Sequence, residues 1–135
     1  MRRIFDYIEN SHGEIANNFE RLHGIQSLKN SIRLNEVDTE FIKPLLRISK
    51  NEKIYTQFSC TGHKTKDGYI LFRSLISKKE TIKNLIRPLL NKIPEVNFNL
   101  IDCFPVKGTV RYYLSFPPDK FDKFVDVFLE SLENF

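Results

Sequence analysis

The sequence predicts an α+β fold: a four-stranded antiparallel sheet with helices on one face and an N-terminal helical extension. The first observation is an internal repeat, because "FIKPLLR" at 41–47 resembles "LIRPLLN" at 85–91, 44 residues later. The second is that each copy leads into two strand-like runs, so that a helix–strand–strand unit occurs twice. The third is a closing amphipathic segment. Two such units can form one sheet covered by a layer of helices.

The length of 135 residues predicts a single domain, residues 1–135. Within it we expect an N-terminal helical segment, a first repeat unit, a second repeat unit and a C-terminal helix, at 1–37, 38–76, 77–116 and 117–135. No apolar run reaches the ~18 residues of a membrane span, so no membrane association is expected.

The N-terminal segment has apolar residues at helical spacings of three and four over residues 3–36. Gly13 and Gly24 are predicted interruptions, which would divide the segment into two or three short helices. Asp38 follows and is expected to cap the helix of the first unit, because aspartate accepts hydrogen bonds from the free N–H groups of a first turn.

Alternation of apolar and polar residues predicts the strands, at 53–60, 68–75, 96–104 and 109–116. In the first strand, Ile54, Thr56 and Phe58 are expected to share one face. In the second, Ile70 and Phe72 share one face, with Tyr69, Leu71 and Arg73 on the other.

The second unit begins with Ser77 and Glu80, which have the spacing of a capping box. Pro117 and the proline after it suit the first turn of the last helix. Pro44 and Pro88 fall inside the two repeated helices, where each removes a hydrogen bond. We expect them to bend the helices over the sheet; the alternative is that each helix ends or restarts at its proline.

The basic residues are concentrated in one part of the chain. Residues 42–92 carry twelve basic and three acidic side chains, within a net charge of +4. This pattern is typical of a surface that faces a polyanion, although solvated helix faces produce it too. The two cysteines, Cys60 and Cys103, do not make a disulfide framework. With no signal peptide recognised at the N-terminus, we expect a cytoplasmic protein.

The most specific local feature follows the first strand, in the order Ser59-Cys60-Thr61-Gly62-His63. Gly62 permits a sharp chain reversal, which can aim successive backbone N–H groups at an anion. We therefore expect Thr61, Gly62 and Lys64 to bind a phosphate or carboxylate. Arg73 and Arg111 are candidate second contacts to the same ligand.

The same turn supplies candidate catalytic residues, namely Ser59, Cys60 and His63. A thiolate favoured by nearby positive charge is a nucleophile, and histidine is the usual general acid or base. Cys60 and His63 also have the spacing of half a zinc site, but zinc takes three or four protein ligands, so no metal site is predicted. The alternative is that Cys60 is a small packed residue.

A family resemblance rests on Leu45-Leu46 followed by Tyr55-Thr56-Gln57-Phe58-Ser59-Cys60-Thr61-Gly62-His63. This stretch resembles the N-terminal motif of the wybutosine-synthesis methyltransferases, "YTTSSCSGR", and "DGYILFR" resembles the strand that follows it. The resemblance covers about residues 38–116. It implies S-adenosylmethionine as cofactor and a tricyclic guanosine derivative in transfer RNA as substrate.

The sequence thus favours an RNA-associated protein that resembles these methyltransferases, with the question of enzymatic activity left open. Four tyrosines could stack on bases if they face solvent, namely Tyr55, Tyr69, Tyr112 and Tyr113. Two alternatives remain, a module that binds a small anionic ligand or a nucleotide, and an interaction protein that acts as a homodimer.

Overall fold

The computed structural model of the protein describes residues 14–101 and 109–135. Along the chain the elements are α1 (Asn18–Arg33), α2 (Thr39–Ser49), β1 (Ile54–Cys60), β2 (Gly68–Ser74), α3 (Lys78–Thr81), a π-helical turn (Ile82–Ile86), α4 (Arg87–Lys92), β3 (Asn97–Ile101), β4 (Arg111–Phe116), a 3₁₀ turn (Pro118–Lys120) and α5 (Phe121–Glu133). None of the helices in these two ranges has the length and apolar character needed to cross a membrane.

The four strands form one antiparallel sheet in the order β1-β2-β4-β3. Each repeat unit contributes one hairpin, and the hairpins meet where β2 pairs with β4, for example at Ile70 opposite Leu114. The predicted α+β fold and its four-stranded antiparallel sheet are confirmed. The predicted strand end at 102–104, with Cys103, lies outside the described residues.

The core lies between the sheet and a layer made of α2, the helical segment 78–92 and α5. From the sheet it receives the side chains of β2 and β4 that alternate inward, such as Phe72 and Leu114, both fully buried. From the helices it receives their apolar stripes, Phe41 and Leu45 of α2 among them. Burial of these stripes provides the main stabilisation of the fold, at about 25 cal/mol per Å² of apolar surface.

α1 packs on the opposite face of the sheet, against β1. It runs without interruption through Gly24, so the predicted break there is wrong. The glycine serves close packing instead, because a Cβ at this position would lie 2.2 Å from a ring carbon of Tyr55. The predicted interruption at Gly13 lies outside the described residues.

The two helix prolines are accommodated differently. α2 continues as an α-helix through Pro44, whereas Pro88 follows directly on the π-helical turn, in which the N–H of Arg87 donates to the carbonyl of Ile82. A π-turn widens the helix, and this gives room for a proline ring that would otherwise meet the carbonyl four residues back. Neither helix ends at its proline.

β1 contains a bulge that changes the predicted alternation. Thr56 pairs with Phe72, but Phe58 pairs with Leu71, so the register shifts at Gln57. The extra residue moves Phe58 to the face opposite Ile54. The prediction that Phe58 shares a face with Ile54 and Thr56 is therefore wrong, and Phe58 is 63% exposed.

Candidate functional site

The turn that follows β1 is built from left-handed backbone. Gly62 has φ of 84°, as the sequence predicts, and His63 and Lys64 continue with φ of 51° and 66°. Left-handed conformations cost non-glycine residues about 1–2 kcal/mol each. The surrounding contacts must therefore hold these two side chains in place, and backbone of this kind is concentrated at functional sites.

The backbone N–H groups of Thr61, Gly62 and His63 donate within the chain. Thr61 donates its N–H (2.8 Å) and its hydroxyl (3.1 Å) to Asp38 Oδ2. The N–H of Gly62 donates to Cys60 Sγ at 3.3 Å, and that of His63 donates to Thr61 Oγ1 at 3.2 Å. A carboxylate of the chain itself thus takes the place that the sequence assigns to an external anion. Anion binding by Thr61, Gly62 and Lys64 stays a prediction, and it requires displacement of Asp38.

Asp38 stands at the N-cap position of α2, as predicted, but its side chain caps nothing in that helix. Its carboxylate turns to the β1 end instead, and Oδ1 lies 3.6 Å from His63 Nε2. Partial burial raises the pKa of the Asp38 carboxyl, but hydrogen bonds from Thr61 and the charge on His63 outweigh burial, and the pKa lies below its ordinary value. Asp38 is therefore ionised at neutral pH.

The turn brings three metal-ligand types together, Asp38, Cys60 and His63. One ligand atom from each lies within 4.8 Å of the other two. Cys60 is a free thiol of intermediate exposure, and His63 is exposed. The prediction of no metal site considered only cysteine and histidine ligands. Asp38 lies 22 residues before Cys60. Its position at the start of a predicted helix indicates a helix cap, not a metal ligand.

A groove of about 590 Å³ lies beside the turn and includes His63 and Lys64 in its wall. Three carboxylates share that wall, Glu40 of α2, Asp119 of the 3₁₀ turn and Asp122 of α5. The groove is therefore more acidic than the sequence predicts, since Lys64 and its neighbours indicate an electropositive pocket. Such a surface attracts cations in preference to anions.

The candidate catalytic residues do not lie on one face. Ser59 pairs with the core residue Ile70, whereas Cys60 pairs with Tyr69 on the opposite face of the sheet. Adjacent strand residues point to opposite sides. Of the predicted set, only Cys60 and His63 meet in the cluster with Asp38.

The two arginines predicted as ligand contacts are buried at the other end of the sheet. Arg73 bonds to Glu20 of α1, and Arg111 Nε donates to Gln57 Oε1 at 2.8 Å. Arg73 lies four residues along β2 from Tyr69, which is roughly 13 Å of strand. The structure does not bring these arginines to the turn.

Within residues 14–101 and 109–135, α1 covers only one end of the sheet face on which it packs. At the other end four side chains form what we call the open patch, Phe58, Tyr69, Leu71 and Tyr113, all partly or largely exposed. The rings of Tyr69 and Tyr113 stack with centroids 5.6 Å apart and an interplanar angle of 28°. Of the four tyrosines predicted as base-stacking residues, Tyr55 and Tyr112 are buried.

The open patch borders the turn. Burial raises the pKa of Tyr69, and the neighbouring Cys60, Tyr113 and Asp38 raise it further, in that order. Tyr69 is thus neutral at physiological pH, and it neighbours both Tyr113, on which it stacks, and the Asp38 carboxylate.

Replacing Asp38 with alanine is expected to lower the free energy of unfolding by about 1–3 kcal/mol, because it removes the charged acceptor of two Thr61 hydrogen bonds. Urea unfolding in buffer with a metal chelator measures this. Asp126→Ala, an exposed carboxylate on α5, is the matched control and should change stability by no more than about 0.5 kcal/mol. Equal effects of the two variants would contradict the assigned role of Asp38.

The chain was compared with known proteins at three levels. No protein-family model, curated protein or solved structure matches it. The resemblance to the wybutosine-synthesis methyltransferases therefore stays a prediction from the Ser59–His63 motif.

Proposed function

We propose that the protein binds single-stranded RNA on the open patch of its sheet. The observation that carries the proposal is the stacked pair Tyr69 and Tyr113, partly exposed on the same face as Phe58. Exposed aromatic side chains on a β-sheet are a recurrent platform for unpaired bases. Each stacked base contributes about 1–3 kcal/mol and requires no particular sequence.

The residues around the open patch support this choice of ligand. Asn97 and Asn99 of β3 are exposed, and Asn99 pairs with Tyr113. Their amides can donate to and accept from base edges. Lys64 and Lys66, both exposed in the turn next to the patch, can contact phosphates. The proposal agrees with the cytoplasmic location that the cysteine content favours.

The distribution of charge sets the expected salt dependence. Most basic residues of the 42–92 block are exposed on α2 and on the helical segment 78–92, which cover the other face of the sheet. Among the basic residues of this block, which the structure describes throughout, Lys64 and Lys66 are the two in the turn next to the patch. Because each phosphate contact on a single strand contributes about −0.7 to the slope of log K against log salt, we expect a shallow slope of about −1 to −2.

The proposal is tested with a fluorescently labelled, unstructured RNA of twelve nucleotides, by anisotropy, against the same sequence as a duplex. The single strand should bind more tightly, because paired bases cannot stack on side chains. Tyr113→Ala should weaken binding about 5- to 150-fold, and Tyr113→Phe, which keeps the ring, should bind like the wild type.

Phe19→Ala provides the aromatic control, since Phe19 is exposed on α1, away from the open patch. It should leave RNA affinity unchanged. Equal affinity for single strand and duplex, or equal affinity of Tyr113→Ala and wild type, would refute the proposal.

Self-association is the second candidate for the open patch, favoured by the 63% exposure of the apolar Phe58. A homodimer through this face would be detected by light scattering and would dissociate on Phe58→Asp substitution. In that case the single-stranded RNA should compete with dimer formation only if both use the same residues.

We extend the proposal to S-adenosylmethionine as a second ligand of the protein. Its support is the motif resemblance together with the position of Cys60, directly opposite Tyr69 at the border of the open patch. Calorimetric titration of the protein with S-adenosylmethionine, alone and with the RNA, tests it. The absence of heat in both titrations would remove the cofactor from the proposal and leave RNA binding unaffected.

A further inference from the structure

We propose that Asp38, Cys60 and His63 form a binding site for a zinc ion, with a fourth position open to water or to a ligand in the adjacent groove. A thiolate, an imidazole and a carboxylate are the three ligand types that zinc takes from proteins. Hard cations such as Mg²⁺ and Ca²⁺ prefer oxygen ligands alone. The mixed donor set therefore favours zinc among the common divalent ions.

The distances are close to those a tetrahedral zinc site needs. Zinc–ligand bonds of about 2.0–2.3 Å place ligand atoms about 3.3–3.8 Å from one another. Asp38 Oδ1 and His63 Nε2 are already 3.6 Å apart, and no pair among the three ligand atoms exceeds 4.8 Å. The remaining adjustment is small, and His63, whose side chain is 70% exposed, has room to rotate.

The neighbouring backbone orients the ligands. Thr61 holds Asp38 through Oδ2 with two hydrogen bonds, while Oδ1 lies 3.6 Å from His63 Nε2. The Gly62 N–H donates to Cys60 Sγ, an interaction that strengthens when the thiol gives up its proton. Partners of this kind fix the direction of ligating atoms and tune metal affinity.

The left-handed backbone of the turn places His63 at the site. Gly62 and His63 have φ of 84° and 51°, and His63 Nε2 lies 3.6 Å from Asp38 Oδ1. Glu40, Asp119 and Asp122 in the groove wall add negative charge within reach of the site. A divalent cation is therefore attracted to this corner, and its fourth ligand can enter from the groove.

Isothermal titration of the full chain with zinc chloride, in a phosphine reductant that does not compete for the metal, tests the proposal. We expect one saturable site, with the proton of the Cys60 thiol released to the buffer. Asp38→Asn, Cys60→Ser and His63→Asn should each weaken binding about 100-fold or more. Cys103→Ser and His23→Gln, which remove the same ligand types elsewhere, should bind within about threefold of wild type.

Cobalt provides a spectroscopic readout of the ligand set. The Co²⁺-loaded wild type should show a thiolate-to-cobalt charge-transfer band in the near ultraviolet, and Cys60→Ser should lose it while Cys103→Ser retains it. A band of equal strength in Cys60→Ser would overturn the proposal, as would wild-type protein without a saturable zinc site.

A measurement on the wild type alone covers the case in which a ligand variant fails to fold. Zinc should slow the alkylation of Cys60 by iodoacetamide by about tenfold or more, since a metal-bound thiolate is a poor nucleophile, and leave Cys103 unaffected. Equal rates with and without zinc would also overturn the site. Tyr113→Ala should bind zinc like the wild type, so this result is independent of the RNA proposal.

Discussion

Replacing Glu20 with alanine is expected to lower the free energy of unfolding by about 3–5 kcal/mol, the usual cost of leaving a buried charge without its partner. The partner is Arg73, whose side chain is fully buried, and the Glu20 side chain is 4% exposed. Arg73 Nε donates to Glu20 Oε2 at 2.5 Å and Nη2 donates to Oε1 at 2.8 Å. This fork is the strongest geometry available to an arginine–carboxylate pair.

The loss extends beyond the ion pair, because Glu20 is a junction between α1 and the sheet. Tyr55 donates its hydroxyl to the same carboxylate, and Arg73 also donates to the carbonyl of Val110 at 2.8 Å. Removal of Glu20 therefore weakens two contacts of α1 with the strands beneath it. A domain of this size has about 5–15 kcal/mol of stability in total.

Urea unfolding followed by circular dichroism measures the effect, and the chain contains its own control. Lys92 and Glu130 form an ion pair at the surface, with side chains 49% and 55% exposed. Glu130→Ala should cost no more than about 1 kcal/mol, since exposed pairs contribute little. If Glu20→Ala and Glu130→Ala had similar effects, the buried pair would not be what holds α1 to the sheet.

A double variant separates the pair from its surroundings. Glu20→Leu with Arg73→Met removes both charges and keeps apolar volume, so it should be more stable than Glu20→Ala, despite two substitutions. A double variant less stable than Glu20→Ala would show that the charges themselves, and not the isolation of one of them, determine the cost.

Arg73 also shows what the sequence could and could not predict. The alternation of β2 placed Arg73 on the face opposite Ile70 and Phe72, and the structure agrees. The sequence indicates Arg73 as a ligand contact, whereas the structure pairs it with Glu20, which is 53 residues away on a helix. Period-2 alternation assigns a side chain to a face, but nothing local identifies the group packed against that face.

The elements that were predicted well have local causes. The capping box at Ser77 is one, since Ser77 Oγ accepts from the N–H of Glu80 at 3.2 Å. The helix–strand–strand repeat is another, because two copies of one sequence pattern form two similar hairpins, which then pair in one sheet. The unbroken helix through Gly24 depends on close packing of α1 against Tyr55 of β1, where tertiary contact outweighs local propensity. The bulge at Gln57 shifts the pairing of β1 with β2, and local alternation does not indicate it.

The sequence predicted one part of the candidate site, the Cys60–His63 turn, and missed the other part, Asp38. Cys60, Gly62 and His63 are adjacent in sequence, so their association was visible, and the reversal at Gly62 follows from the freedom of glycine. Asp38 was assigned to capping because aspartate is a preferred N-cap. Its carboxylate instead accepts from Thr61, and this choice depends on the loop between α1 and α2 passing the end of β1, which only the fold determines.

Gly62→Ala is expected to destabilise the protein by about 2–5 kcal/mol, through a left-handed backbone and a steric clash acting together. The φ of Gly62 is 84°, and a Cβ built there would lie 1.9 Å from the carbonyl oxygen of Lys66. Backbone cannot move aside as a flexible side chain can. The turn must therefore open, which separates His63 from Asp38 and weakens zinc binding in parallel with stability.

Two further substitutions distinguish the backbone effect from the clash. Asparagine tolerates left-handed backbone better than alanine, but Gly62→Asn carries the same Cβ and should remain strongly destabilised. Lys64→Gly relieves a left-handed non-glycine residue, with φ of 66°, and should keep stability within about 1 kcal/mol of wild type. Thermal and urea unfolding of the three variants tests this account of the turn. If Gly62→Asn were as stable as Lys64→Gly, the account would be wrong, because the Lys66 carbonyl would then not obstruct a side chain at position 62.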